Sequence, residues 1–452
     1  MKNIISVVVF ICLLTNVSAQ TSPKKLIEFG WDQPNITFVK NNISTMENAP
    51  FDGVCFSFDF TIYNAFDTTQ YPESKFQYDD LSKINWNKFT DNFIITRGVG
   101  RTGARWFDDN SWDKISNNLK KISKAVAVSR SKGILFDPEF YFKDSTLNPW
   151  RYKPEWYNNA SYEEVGKYVR RRGKQFMEAL QTNKPDIKIL CTWLLGLVYR
   201  QNLAKPLEQT GMALIPFFVQ GMLDGQNSQS EIIDGNETSY WYQTPADFIE
   251  SGGYERSNAG KLVSSSMDRY NKISVAQSIF YDGLYAKTQE YNKGFDFQTR
   301  ERWFYNNLYF ALKTSDEYVW FYDQRINWWQ NKVDSGVAEI ITDVKNKINS
   351  EWNGNQSEAR GETTVKNFKA ANQANYKGIS YTYSKNKNSL RVGLLQNNIQ
   401  NIRIYKNSSL IYSSNNPSSN LNIDLNGKYN GDGNLIIITK DNKGQTSTAF
   451  VN

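Results

Sequence analysis

From Leu26 to about Trp352, short runs rich in β-branched and aromatic residues alternate with segments of helical period. The runs are Leu26–Trp31, Gly53–Phe60, a weakly marked third within Phe93–Trp106, Gly133–Glu139, Ile187–Leu194, Ser230–Asp234, Ile273–Tyr281 and Glu317–Asp323. Between them, Trp112, Ile115, Leu119, Ile122 and Val126 recur at three- and four-residue spacing, which lays an apolar stripe along one helix face. Ser161-Tyr162-Glu163-Glu164 has the capping-box spacing and leads into a helix over Val165–Leu180. Arg300–Leu312 and Val337–Ile348 supply two later helices, the second with the stripe Val337, Ile340, Ile341, Val344 and Ile348. Strands separated by helices pair in parallel, since each crossover returns the chain to the same edge. Eight such units predict an α/β fold, a closed (β/α)8 TIM-type barrel over residues 20–352, with an open doubly wound sheet as the alternative.

The pattern changes after Trp352. Residues 353–377 are polar and read as a linker. From residue 378 to 452 the chain runs in short alternating segments: Ile379–Tyr383, Leu390–Leu395, Ile402–Tyr405, Leu421–Leu425 and Leu435–Thr439. Turn residues such as Asn426-Gly427 punctuate them, so a small all-β sandwich of about seven strands is expected. At the other end, a basic start, an apolar run Ile4–Leu14 and the small-residue ending Val17-Ser18-Ala19 have the layout of a cleaved secretory signal over residues 1–19. Eleven apolar residues are too few to cross a bilayer core, so release to the periplasm or outside the cell is expected, with no membrane span.

Composition narrows the chemistry. The chain has no histidine, which removes Ser-His-Asp and Cys-His hydrolysis and histidine as a general base. No nucleotide-binding glycine motif is present, and no metal or cofactor is expected. Carboxylate chemistry is what remains. Aromatic residues make up 15% of the chain, including 13 Trp, and their broad apolar rings suit stacking on sugar rings as well as core packing. The net charge of +7 is thinly spread; Arg170-Arg171-Arg172 reads as a solvated helix face, not a nucleic-acid site. Cys55 and Cys191 fall in strand runs and read as buried thiols.

In a closed barrel the reactive groups lie at the C-terminal ends of the strands. Run four ends in Asp137-Pro138-Glu139, two carboxylates that an extended chain turns to the same side, above Leu135 in the barrel interior. Run six ends in Asp234-Gly235-Asn236-Glu237, where Asp234 either caps a turn or takes part in the chemistry and Glu237 stands at the mouth beside Tyr240. Trp31 and Asp32 follow run one, Trp106 follows run three and Trp193 ends run five. Alternation in run eight puts Trp320, Tyr322 and Gln324 on one face and Asp323 on the other. Glu139, Glu237 and Asp137 are the candidate catalytic carboxylates, with Glu139 expected as the general acid and Glu237 as its partner. Trp31, Asp32, Trp106, Trp193, Tyr240, Trp320, Tyr322 and Gln324 are the candidate substrate contacts. Phe136, Phe140, Trp193 and Tyr240 are expected to shield the pair from water.

The segments Glu28-Phe29-Gly30-Trp31-Asp32, Pro50-Phe51-Asp52-Gly53, Asp137-Pro138-Glu139 and Asp234-Gly235-Asn236-Glu237, with Trp320-x-Tyr322, resemble a group of secreted bacterial glycoside-hydrolase-like barrel proteins. The resemblance covers most of the barrel and not the C-terminal region. It implies a glycosidase barrel with Glu139 and Glu237 near the chemistry and an oligo- or polysaccharide substrate. The place of Gln324 is often a glutamate in that group, and an amide cannot trade a proton in the same way. Three functions are therefore weighed: a two-carboxylate glycoside hydrolase, a non-catalytic glycan-binding protein on the same barrel, and a polysaccharide lyase using Tyr or Lys as base.

Overall fold

The computed structural model describes residues 22–59, 64–98, 105–141, 148–202, 204–242, 248, 259–263, 272–284, 297–352, 379–384, 387–394, 398–406, 409–429, 435–442 and 446–451. The expected signal over residues 1–19 and the expected linker over 353–377 lie outside them. Among the described residues, no helix is long and apolar enough to cross a membrane.

The barrel consists of β1 (Lys25–Glu28), β2 (Gly53–Phe56), β3 (Phe93–Arg97), β4 (Gly133–Asp137), β5 (Lys188–Cys191), β6 (Glu231–Asp234), β7 (Ile273–Val275), β8 (Gln277–Phe280) and β9 (Tyr318–Tyr322). All pair in parallel, in the order β7-β6-β5-β4-β3-β2-β1-β9-β8. The expected seventh strand is thus two pieces broken at Ala276. Its first half pairs with β6 and its second with β9, so the broken strand brings the two ends of the sheet together and nearly closes the barrel.

Period-two alternation sorts the strand residues into two cores. Ile27, Phe93, Ile95, Leu135, Leu190, Ile233, Tyr318 and Trp320 fill the barrel interior. Their neighbours Leu26, Val54, Ile94, Ile134, Phe136, Ile189, Ile232, Val319 and Phe321 face the helix layer. The helix Asp109–Val128 starts where the Asp108 side chain accepts the amide of Ser111, and it buries the stripe Trp112, Ile115, Leu119, Ile122 and Val126. The helix Tyr162–Gln181 starts where Ser161 accepts the amide of Glu164. On that helix Arg170 pairs with Asp224 and Arg171 with Asp109, but Arg172 departs from the expected solvated face. Its guanidinium is buried over the Trp112 ring and donates to the carbonyl of Trp106 and to Asp109. Cys55 and Cys191 are buried free thiols.

The C-terminal region forms two small antiparallel sheets. One holds β10 (Ile379–Ser384), β11 (Ser389–Leu394) and β14 (Asn420–Asp424); the other holds β12 (Ile399–Lys406), β13 (Ser409–Asn415), β15 (Leu435–Asp441) and β16 (Thr446–Val451). Ile379, Leu390, Val392, Ile402, Ile404, Ile423, Leu435 and Ile437 make their shared core. Tyr405 and Ile438 join the barrel's outer core instead, which ties this region to the barrel.

Candidate functional site

A groove of about 800 Å³ lies at the C-terminal ends of the strands. Its floor is aromatic. Tyr240 and Tyr322 stack with ring centroids 5.4 Å apart and planes 13° from parallel, and Phe280 and Trp320 each lie 5.2 Å from Tyr240. Phe29 closes the set, 5.7 Å from both Trp320 and Tyr322. Trp320 is fully buried, and its indole donates to the carbonyl of Gly235 at 2.8 Å, so it anchors the turn after β6. Trp31 and Trp241 stand on the rim with 71% and 55% of their surface exposed. A second lobe of about 480 Å³, lined by Phe140, Trp150, Trp193, Leu197 and Met212, shares Glu139, Glu237, Tyr240 and Trp241 with the first. The two lobes meet over the pair of glutamates.

Local chain geometry puts those glutamates there. After β4, Asp137 and Glu139 point to the same side, above Leu135. Asp137 is buried and fully engaged: it accepts the Glu139 amide at 3.0 Å, the Tyr141 hydroxyl at 2.7 Å and the Thr192 hydroxyl at 3.3 Å. After β6, Asp234 is buried and accepts the amides of Gly196 and Asn236, so it caps a turn and the helix Leu195–Asn202; of the two roles open to it, the structure supports the cap. Asn236 adopts a left-handed conformation (φ 45°), which asparagine tolerates better than most residues, and its side chain is pinned to Gln277 at 2.8 Å. The chain then turns so that the Glu237 amide meets the carbonyl of Thr192 and its carboxyl faces the groove.

The two glutamates differ in what surrounds them. Burial raises the Glu237 carboxyl to about 8, with the Glu139 and Asp137 carboxylates adding to the shift. Burial also raises Glu139, and the Asp137 carboxylate adds to the shift, while the Tyr141 hydroxyl and the Arg97 guanidinium act against it by favouring the charged form. Arg97 ends β3 and lies 5.2 Å from the Tyr141 ring centroid. Both carboxyls are thus raised above the ordinary glutamate value, Glu237 to about 8, and Glu139 has in Tyr141 and Arg97 two partners that favour its charged form.

The structure brings Glu139, Glu237, Asp137, Trp31, Tyr240, Trp320, Tyr322 and Gln324 to the first lobe and Trp193 to the second. Gln324 donates to the Tyr322 hydroxyl at 3.0 Å. Trp106 is not brought there: it is 2% exposed, packed with Phe66, Trp112 and Trp150, and its indole donates to the carbonyl of Pro149. Asp32 is not brought there either; it turns to the other side of the barrel wall and accepts the Trp328 amide at 2.8 Å. Phe136 faces the helix layer and shields nothing in the groove. Sequence reasoning missed Arg97, Tyr141, Phe29, Phe280 and Trp241. Tyr141 carried a usable signal, since it continues the same-side alternation Asp137, Glu139, Tyr141.

No protein-family model matches the chain, and no curated protein matches it. Among solved structures it is similar to a GH5-4 broad specificity endoglucanase from an uncultured bacterium, at 12% identity and a TM-score of 0.41, over 70% of this chain and 86% of that one. It is similar to Bacteroides uniformis beta-glucuronidase 2 at 8% identity and a TM-score of 0.36, over 95% of this chain and 46% of that one. It is also similar to a double mutant of Cellulomonas fimi endo-beta-1,4-mannanase at 10% identity and a TM-score of 0.33, over 95% of this chain and 94% of that one.

Proposed function

We propose that this protein is a glycoside hydrolase that cleaves an oligo- or polysaccharide with Glu237 as general acid and Glu139 as the charged partner. The observation that carries the reading is the pair itself: two carboxyls in one aromatic groove, one raised by burial to about 8 and the other, though also raised, with Tyr141 and Arg97 favouring its charged form. Such a split assigns acid and base at one pH. Glu237 gives its proton to the glycosidic oxygen as the bond to the anomeric carbon breaks. The Glu139 carboxylate attacks that carbon or takes a proton from the water that does. Asp137, tied by three hydrogen bonds, is a neighbouring carboxyl whose charge helps hold the Glu237 proton in place. The rim tryptophans and the Phe29–Tyr240–Tyr322 floor offer flat apolar faces to sugar rings. The N-terminal apolar segment supports action outside the cytoplasm, and the C-terminal sheets are assigned to support or weak glycan contact, because no cluster of three or more carboxylates or thiols that could hold a metal occurs among their described residues.

A non-catalytic glycan-binding role is the second reading, favoured by one observation: an amide, Gln324, stands in the groove against Tyr322. Incubation with a broad polysaccharide panel separates the two. New reducing ends from the wild-type chain, absent with Glu139→Gln, support hydrolysis; retention of a polysaccharide with no cleavage by a folded wild-type chain supports binding alone.

A further inference from the structure

Behind the groove wall lies a second set of carboxylates that the proposed reaction does not use. Glu28 ends β1 and Asp323 follows β9, and alternation with the groove residues Phe29, Tyr322 and Gln324 turns both to the opposite side of the wall. Together with Asp32 they bring one carboxylate oxygen each within 4.8 Å of one another. Glu28 and Asp323 are 0% exposed. Both oxygens of Glu28, both of Asp323 and one of Asp32 are shut off from solvent, with only the Trp328 indole near Asp323 and the Glu28–Asp32 contact itself for company. Among the described residues, no lysine or arginine is in ion-pair contact with the three; Arg325, two residues past Asp323, is paired with Asp282. The backbone is pressed against the cluster as well, since a Cβ on Gly30 would lie 2.9 Å from the Asp323 carboxylate. Three carboxylates gathered in one buried spot with no cation beside them are far more costly than an ordinary buried polar group unless something positive joins them.

We propose that Glu28, Asp32 and Asp323 bind a calcium-sized divalent cation. Oxygen donors alone, two of them fully buried carboxylates, match the preference of calcium for six to eight oxygens, with waters completing the shell. A separate cleft of about 460 Å³ is lined by Asp32, with Gln33, Asn35, Asn41 and Asn327 among its other residues. The cation would clamp the ends of β1 and β9, which carry Phe29, Trp31, Tyr322 and Gln324 of the groove. The site does not depend on what the groove does.

The test is calorimetric titration of the full chain, stripped with chelator, with calcium chloride at pH 7.5. One site per chain is expected. Asp323→Asn and Glu28→Gln should each lose the binding, while Asp224→Asn, a surface acid, should keep it. Both amides relieve buried repulsion, so in chelator at pH 8 the Asp323→Asn chain should melt above wild type, and added calcium should reverse that order. Metal content after equilibrium dialysis of the wild-type chain against calcium needs no variant, and about one calcium per chain is expected. Absence of calcium uptake by folded wild type, or uptake undiminished in both amide variants, overturns the proposal.

Discussion

Replacing Glu237 by Gln keeps the size and hydrogen-bonding reach of the side chain and removes its proton. With a carboxyl at about 8, about nine in ten Glu237 side chains are protonated at pH 7. At an ordinary glutamate value of about 4.5 the fraction would be about one in three hundred, so the groove multiplies the supply of acid by about 300. Losing a general acid costs about 10²- to 10⁴-fold in rate, or about 3–5 kcal/mol in the barrier. The loss should depend on the leaving group. On the natural polysaccharide, where the departing oxygen needs the proton, kcat should fall by about that full factor. On an aryl glycoside with an acidic phenol, which leaves without help, the bond-breaking step should lose about tenfold or less. The assay is steady-state and single-turnover kinetics on a series of aryl glycosides of graded phenol acidity, wild type against Glu237→Gln. Equal losses across the series would refute Glu237 as the acid. If Glu139→Gln gave the steep dependence instead, the roles would return to those the sequence alone suggested.

Asp137→Asn removes a negative charge that helps hold the Glu237 proton, so Glu237 should lose it at lower pH and the alkaline limb of kcat/KM should move down; an unmoved limb contradicts the coupling. Trp241→Ala should raise KM for a polysaccharide about tenfold with kcat nearly unchanged, since the ring sits exposed on the rim; a fall in kcat alone would count against stacking. Trp106→Ala should cost about 3–5 kcal/mol of stability in urea unfolding and leave KM of the folded enzyme nearly unchanged, because the indole is core and lines neither lobe of the groove. Truncation after residue 352 should lower Tm, because Tyr405 and Ile438 cover part of the barrel's outer core, yet a folded truncation should retain turnover of a small soluble glycoside. Loss of that turnover would give the C-terminal sheets a part in the chemistry.

The barrel was legible because its strands are buried on both faces and read as continuous apolar runs, while the capped, striped helices between them announce themselves at Ser161 and along Trp112 to Val126. The break at Ala276 was not legible, since it reflects how one strand splits its pairing between β6 and β9. Strand-end reasoning found Glu139 and Glu237 because a carboxylate beside an apolar strand is conspicuous. It gave the acid role to Glu139; the opposite assignment proposed above rests on burial around Glu237 and on Arg97 and Tyr141 beside Glu139, of which Arg97 comes from the poorly marked third strand. Trp106 looked like a rim residue from its place after run three; the neighbours that bury it, Phe66 and Trp150, come from other loops. The cluster of Glu28, Asp32 and Asp323 unites the two ends of the barrel chain, so no local pattern announces it.

The central claim is that two carboxyls held at different protonation states in one groove carry out the cleavage. The pH dependence of kcat/KM on a cleaved polysaccharide tests it most directly, because that profile reports the essential acid and base of the free enzyme. A bell is predicted, with an alkaline limb near 8 that belongs to Glu237 and an acid limb that belongs to Glu139. In Glu237→Gln, followed on an activated aryl glycoside, the alkaline limb should be gone and the acid limb should remain. An alkaline limb that persists unchanged near 8 in that variant would contradict the account.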